Sequence, residues 1–145
     1  MESVSSTPTL EFGDPETQVV LPLLKTDLLE IMLATAEDRL SEMEIEWSDG
    51  HACCVMVVSG GYPEAYGKGK PISLGDGESM GTLYHSGTVI VDGKLVTAGG
   101  RVIGAVATGT SLQQAIDNAY RAASEICFEG AYMRRDIGQK ALMAQ

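Results

Sequence analysis

The sequence predicts an α+β fold: a short helical stretch leading into a small domain with a mainly antiparallel sheet and one long packed helix. Three observations carry this reading. Glycine is divided unevenly, with Gly13 and Gly50 in the first 50 residues and 15 of the 17 glycines after them. The apolar spacing changes from helical to alternating near residue 44. Asp49-Gly50 and Asp92-Gly93 are strong hairpin signals, and they join candidate strands without crossover helices, which favours antiparallel pairing.

The elements follow in order. Residues 1–9 are rich in Ser and Thr, aperiodic, and read as a disordered leader. They contain no basic n-region, no apolar h-region and no arginine, so neither a secretory signal nor a transit peptide is expected. Asp14-Pro15-Glu16-Thr17 has the marks of a helix start: Asp14 as cap, Pro15 at the first helical position, Glu16 at the positive end of the dipole. The apolar run at residues 19–24 is interrupted by Pro22. A second start at Thr26 or Asp27 leads into Leu28, Leu29, Ile31, Met32, Leu33, Ala36 and Leu40, a wide apolar stripe that implies burial. Glu30, Glu37 and Asp38 lie off that stripe.

Residues 44–48 alternate as a strand, Asp49-Gly50 turns, and residues 52–58 read as a buried strand. A Gly-rich loop covers residues 59–77. Strands at 81–91 and 94–98 flank Asp92-Gly93, and Gly99-Gly100 breaks before a strand at 102–108. Thr110-Ser111-Leu112-Gln113 fits a capping box. It opens a helix with Leu112, Ala115, Ile116, Ala119, Ala123 and Ile126 on one face, and a short basic piece at 132–140 ends the chain.

Composition narrows the function classes. The 145 residues suffice for one domain, or for one domain plus a helical piece of another. No apolar run approaches the roughly 20 residues of a membrane helix, so no membrane partner and a cytoplasmic location are expected. Cys53, Cys54 and Cys127 make neither a disulfide framework nor a metal-ligand spacing, and they read as buried, inert thiols. The first 50 residues hold 12 acids against Lys25 and Arg39, while the remainder balances 8 acids with 8 bases. Nothing here offers the basic face that nucleic acid needs.

Three clusters bear on chemistry. The segment 12–18 gathers carboxylates at a helix start, either as a cap or to hold Mg²⁺ or orient an amine, and spacing does not decide between these. In the loop at 59–70, Gly60, Gly61, Gly67 and Gly69 allow close backbone approach and N–H groups facing an anion. Lys68 and Lys70 add charge there, Tyr62 and Tyr66 add walls or hydroxyls, and a long structural turn is the competing reading. Arg101 after Gly99-Gly100, and Arg134-Arg135-Asp136, place guanidinium groups beside turns, suited to phosphate or to an ion pair such as Arg134 with Asp136. His85 reads as a structural histidine at a strand start.

Several segments, taken in order, resemble one family. They are Phe12-Gly-Asp-Pro-Glu-Thr-Gln18, Ser59-Gly-Gly-Tyr-Pro63 with Tyr66 and Lys68-Gly69, His85-Ser-Gly-Thr88, Asp92-Gly93-Lys94, Thr97-Ala-Gly-Gly-Arg101-Val102, and Phe128-Glu-Gly130 followed by Arg134-Arg-Asp-Ile-Gly138. The set is similar to the C-terminal part of glycinamide ribonucleotide synthetase, an ATP-grasp ligase, over nearly the whole chain.

The resemblance implies joining of glycine to 5-phosphoribosylamine with ATP cleaved to ADP and phosphate. It implies a leader at 1–9, the C-terminal end of an ATP-grasp domain at 10–48, and the family's C-terminal domain at 49–145. Asp14 and Glu16 then become candidate catalytic groups. Gly60, Gly61, Tyr62, Pro63, Tyr66, Lys68, Gly69 and Arg101 become candidates for contacts with phosphoribosylamine or glycinamide ribonucleotide. Mg²⁺ (or Mn²⁺) and ATP serve the complete enzyme, with neither held tightly by this chain alone.

Three departures stand out. The family's Glu-[Phe/Tyr]-Asn-x-Arg metal pattern is cut to Leu10-Glu11 before Phe12, leaving Glu11 as a stand-in metal ligand. The ATP-grasp lysines, nucleotide loop and glycine-binding domain are absent, so the chain is expected to be inactive alone and to need the missing ATP-grasp portion as partner. Gln139 stands where tryptophan is usual. A stand-alone binding or regulatory module is the alternative.

Overall fold

The structure, a computed structural model, describes Gly13 and residues 16–144. The expected leader, the Asp14 cap and Pro15 lie outside the described residues. Helix α1 (Thr17–Val20) opens with the Thr17 N–H and Oγ1 donating to the Gly13 carbonyl at 3.1 and 2.7 Å. Pro22, without an N–H to continue a helix, sits in the 3-10 turn Leu21–Leu23 that follows. Asp27 caps α2 (Leu28–Ala36) as expected, accepting from the Leu29 N–H at 2.7 Å. After the 3-10 turn Leu40–Glu42, residues 43–48 return alongside residues 23–26, with Lys25 N–H donating to Glu46 O and Ser48 N–H to Leu23 O.

The remainder is β1 (His51–Ser59), α3 (Gly77–Met80), β2 (Thr82–His85), β3 (Thr88–Val91), β4 (Lys94–Thr97), β5 (Arg101–Gly109), α4 (Leu112–Ser124), β6 (Ala131–Tyr132) and α5 (Gln139–Leu142). One sheet has the order β2-β5-β1-β6, and β3-β4 stands as a separate hairpin, with every ladder antiparallel. The α+β expectation holds. Asp92 and Gly93 both carry positive φ, 48° and 75°, so the hairpin closes on the kind of turn that matches strand twist.

Alternation in β1 buries Cys53, Val55, Val57 and Ser59 on one face and leaves the residues between them partly open. Helix α4 covers the buried face. Its Ala115, Ala119, Ala122 and Ala123 allow close approach, and Ile116 and Ile126 join Val55, Val57, Val102 and Ile103 in the core. Each fully buried Val or Ile contributes about 1.5–3 kcal/mol, so stability is concentrated in this layer. The open face is partly covered by α1, whose Gln18 Oε1 accepts from the Cys54 thiol at 3.1 Å.

Five expectations are corrected. Residues 44–48 form no strand: they contribute an isolated Leu24–Trp47 bridge, and β1 pairs instead with β6 and with β5, whose residues 102–106 are buried in the core. The strand expected at 81–91 breaks at Ser86-Gly87, where both N–H groups donate to Val102 O and turn the chain out of the sheet. The capping box is displaced by one residue, Ser111 Oγ accepting from Gln114 N–H while Gln114 Oε1 accepts from Thr110 N–H and Oγ1. The α2 stripe is not buried: Ala34 is the helix's one buried residue, and Leu29, Met32 and Leu33 stay exposed. Cys127 is exposed rather than buried, since it lies past the end of α4.

The C-terminal tail is tied to α4 by one side chain. Tyr120 OH donates to Arg134 O at 2.8 Å and accepts from Ile137 N–H at 3.0 Å. Tyr120→Phe keeps the ring and removes both bonds, and it should lower unfolding free energy by about 1–3 kcal/mol. The readout is a reduced urea midpoint at unchanged slope; an unchanged midpoint would assign the tail to apolar packing alone. Ser111→Ala should cost about 1 kcal/mol in the same titration, through loss of the α4 cap.

Candidate functional site

Where β1 ends, three strands' worth of backbone is pinned together. Ser59 N–H donates to Gly100 O at 2.8 Å, Ser59 Oγ to Gly99 O at 3.0 Å, and Gly60 N–H to Gly130 O at 2.7 Å. The chain then turns at Gly61 into a cis Tyr62–Pro63 peptide. The Tyr62 ring packs against Gly100: a Cβ there would sit 2.1 Å from Tyr62 Cδ2, so only glycine permits the contact. Tyr66 meets Tyr62 edge-on, with ring centroids 6.0 Å apart. The 60s loop and the Gly99-Gly100 turn are therefore one unit.

A bulge aims Arg101 into this unit. Val57 pairs with Ile103 but Val58 pairs with Arg101, so Val102 is an extra residue on β5. Val102 and Ile103 are both fully buried. Strict alternation would have put Arg101 on the same face as Ile103, beneath α4. The bulge instead sets it opposite Val58, on the open face. Tyr132 of β6 also pairs with Val58, so Arg101, Val58 and Tyr132 form one row across the sheet.

These residues enclose a cavity of about 270 Å³, lined by Met56, Val58, Tyr62, Arg101, Tyr132, Arg134 and Ile137. Its floor is aliphatic, two tyrosines flank it, and two guanidinium groups supply the polarity. Arg134 donates from Nε and Nη2 to Asp136 at 2.9 and 2.7 Å. That hydrogen bond, with the charge attraction, raises the Arg134 pKa and holds the Asp136 carboxyl below its ordinary value. With a lowered carboxylate pKa, the pair persists at neutral pH and is lost only as pH falls through that lowered value. Such a site can bind and orient an anionic ligand with an apolar or flat portion; it has no general base.

The structure places Tyr62 and Arg101 in the lining of one cavity, with Tyr66 against Tyr62. Gly60 and Gly61 shape the loop, but the Gly60 N–H is taken by Gly130 O and cannot serve an anion. Gly69 N–H is likewise taken by Thr97 O at 2.7 Å, which docks this stretch along β4. Pro63 and Lys68 are exposed and do not line the cavity, and Lys70 pairs with Glu129. Arg134 pairs with Asp136 as the sequence suggested. Tyr132 was not anticipated, because only the lateral pairing with Val58 reveals it. His85 Nδ1 lies 3.1 Å from Thr88 Oγ1, bridging the β2–β3 break in the structural role expected of it.

Glu16 borders a neighbouring groove of about 290 Å³ with Val19, Ala52, Cys54, Leu112 and Ile116. Ile137 lines both concavities. Glu11 and Asp14 lie outside the described residues. Among the described residues no group of three His, Cys, Asp or Glu gathers, so these residues do not by themselves fit Mg²⁺, which needs several oxygen ligands. Burial pushes the Cys53 thiol pKa up, which keeps it protonated and unreactive. A cleft of about 340 Å³ between Leu23, Ser48, Thr108 and Asn118 has no ionisable side chain in its lining. No helix among the described residues is long and apolar enough to cross a membrane.

Comparison with known proteins agrees with this architecture. The family model described as phosphoribosylglycinamide synthetase, C domain, matches residues 52–140. The chain is 52% identical over 126 residues to a phosphoribosylamine–glycine ligase of Caldanaerobacter subterraneus, covering 87% of this chain and 30% of that protein. It is 48% identical over 134 residues to the ligase of the same name from Synechocystis, covering 90% and 32%. The crystal structure of phosphoribosylamine–glycine ligase from Thermotoga maritima superimposes with a TM-score of 0.69 at 36% identity, covering 86% of this chain and 31% of that one. The chain thus spans about a third of the length of the ligases it matches. By its match over residues 52–140 and the shared α+β architecture, the chain belongs to the phosphoribosylglycinamide synthetase C-domain family.

Proposed function

We propose that the chain acts as the C-terminal part of an ATP-dependent ligase that joins glycine to 5-phosphoribosylamine in cytoplasmic purine biosynthesis. The observation that carries this is the convergence of Tyr62, Arg101 and Tyr132 on one cavity within the family-matched domain. Its volume of about 270 Å³ lies at the small end for ligand pockets, the scale of a sugar phosphate rather than a whole nucleotide. A planar guanidinium suits phosphate, and tyrosine faces suit the ribose carbons beside it. Gly60 and Gly61 shape the loop that carries Tyr62 and Tyr66 supports its ring, while Pro63, Lys68 and Gly69, outside the cavity lining, remain candidates for contact in the complete ligase.

On this reading residues 10–48 are the end of the ATP-grasp domain and residues 49–145 the C-terminal domain. Transfer through an acyl phosphate needs metal and fixed cations to neutralise phosphate charge. The described residues do not assemble that set, so this chain contributes binding and orientation. Asp14 and Glu16 remain candidates for holding the substrate amine, and Glu11 for the metal, in the complete ligase with Mg²⁺ (or Mn²⁺) and ATP.

Calorimetric titration tests the proposal. Glycinamide ribonucleotide should bind the isolated chain, and ATP–Mg²⁺ should give no heat. Arg101→Ala should weaken ribonucleotide binding roughly tenfold or more, the equivalent of one charge-assisted hydrogen bond. Gly100→Ala, which displaces the Tyr62 ring, should weaken it as well. Ribonucleotide affinity unmoved by either substitution, or binding of ATP–Mg²⁺ alone, would remove the assignment.

A further inference from the structure

Past Tyr132 the chain leaves β6 but keeps the alternation of a strand. Tyr132 and Arg134 line the functional cavity, whereas Met133 and Arg135 line a groove with Val57 and Ile126 on the α4 face of the sheet. No ladder bond holds this stretch, since β6 ends at Tyr132. Tyr120 holds it instead: its hydroxyl donates to Arg134 O at 2.8 Å and accepts from Ile137 N–H at 3.0 Å. Those two bonds fasten the backbone on either side of residues 135 and 136.

The Arg134 side chain is fixed as well. A guanidinium carries five N–H donors, and Asp136 accepts from Nε and Nη2 at 2.9 and 2.7 Å. The donors left at the Nη1 and Nη2 end have no partner among the described residues, and their fork matches two oxygens of a phosphate. Asp136 is not among the residues lining the cavity, so the cavity receives the donors without the carboxylate. Stability does not account for the arrangement, because an exposed ion pair contributes little. What the clamp and the two backbone bonds do is pre-set one guanidinium, which lowers the ordering cost of gripping an anion.

We propose that Arg134 is a second phosphate-gripping residue of this cavity, beside Arg101, and that Asp136 and Tyr120 are its positioning residues. The ligand class is a phosphomonoester with a flat or apolar body, its phosphate against Arg134 and its body over Met56 and Val58. Tyr120 does not line the cavity, so its effect on the ligand passes through Arg134.

This inference rests on the functional reading above, and a second probe separates the two. The chain is titrated calorimetrically with glycinamide ribonucleotide and with phenyl phosphate, a phosphomonoester without ribose. Arg134→Gln should weaken both about tenfold, the equivalent of one charge-assisted hydrogen bond. Arg134→Lys should not restore the affinity, since an ammonium lacks the planar fork. Asp136→Asn and Tyr120→Phe should each weaken phenyl phosphate roughly threefold, the ordering cost of one long side chain. In the Arg134→Gln background neither should have a further effect, because the group they position is gone.

Equal losses from Asp136→Asn and Tyr120→Phe in both backgrounds would overturn the positioning role, since a structural defect acts whether or not Arg134 is present. The urea midpoint of Arg134→Gln should match that of the parent chain. A lowered midpoint would overturn the proposal, because the pair would then support the fold and not the ligand. Failure of the folded chain to bind either ester would overturn it too. Ribonucleotide binding that Arg134→Gln leaves intact sinks this inference alone. Phenyl phosphate held through Arg134, with no binding of the ribonucleotide, sinks the functional reading alone.

Discussion

The pairing of β1 with β5 is the constraint from which the rest of the domain follows. It joins residues 51–59 to residues 101–109, and everything between must leave and return around that fixed ladder. Because the ladder is antiparallel, the end of β1 lies beside the start of β5. Ser59 can then bond Gly99 and Gly100, Tyr62 can lie over Gly100, and a loop is placed against a turn forty residues away. The single extra residue at Val102 then places two consecutive apolar side chains in the core and turns Arg101 to the opposite face. One bulge thus fills the core and aims the cation, in keeping with the frequent placement of bulges next to functional sites.

Energetically the molecule divides into unequal parts. The sheet and α4 share a core of Val, Ile and Ala with almost no exposed area, and a row of alanines lets helix and sheet approach closely. The segment before residue 49 has little of this. It contributes Gln18 to the open face of the sheet and a few backbone hydrogen bonds between 23–26 and 46–48, while α2 keeps its apolar side chains in water. Local opening is expected to begin in the segment with fewer buried contacts. The proposed site sits on the well-packed side of that divide, apart from its approach to α1.

The electrostatics follow the same division. All of the net negative charge falls before residue 51, whereas the domain behind the site is balanced and includes two ion pairs, Arg134 with Asp136 and Lys70 with Glu129. Exposed pairs of this kind add little stability. What the Arg134–Asp136 pair does is fix a guanidinium at the cavity wall, with Tyr120 holding the backbone on either side of it. A positioned donor loses less entropy on binding an anion than a free side chain would.

The sequence specified the local elements: the Asp27 cap, the alternation of β1, the Asp92-Gly93 turn and the alanine face of α4, with the α4 cap read one residue early. These are set by dihedral preference and by short-range hydrogen bonds, which a few adjacent residues specify. It also marked Tyr62 and Arg101, through the ordered motifs of the family and not through their spacing. Which strands pair was decided only by the tertiary structure. The weak alternation at 44–48 lost to β5, the strand expected at 81–91 was broken by the Val102 carbonyl, and Tyr132 reached the site through β6. The fate of the α2 stripe was settled in the same way. An apolar period announces that a face is to be buried, but the partner that buries it comes from elsewhere, and for α2 none is present among the described residues.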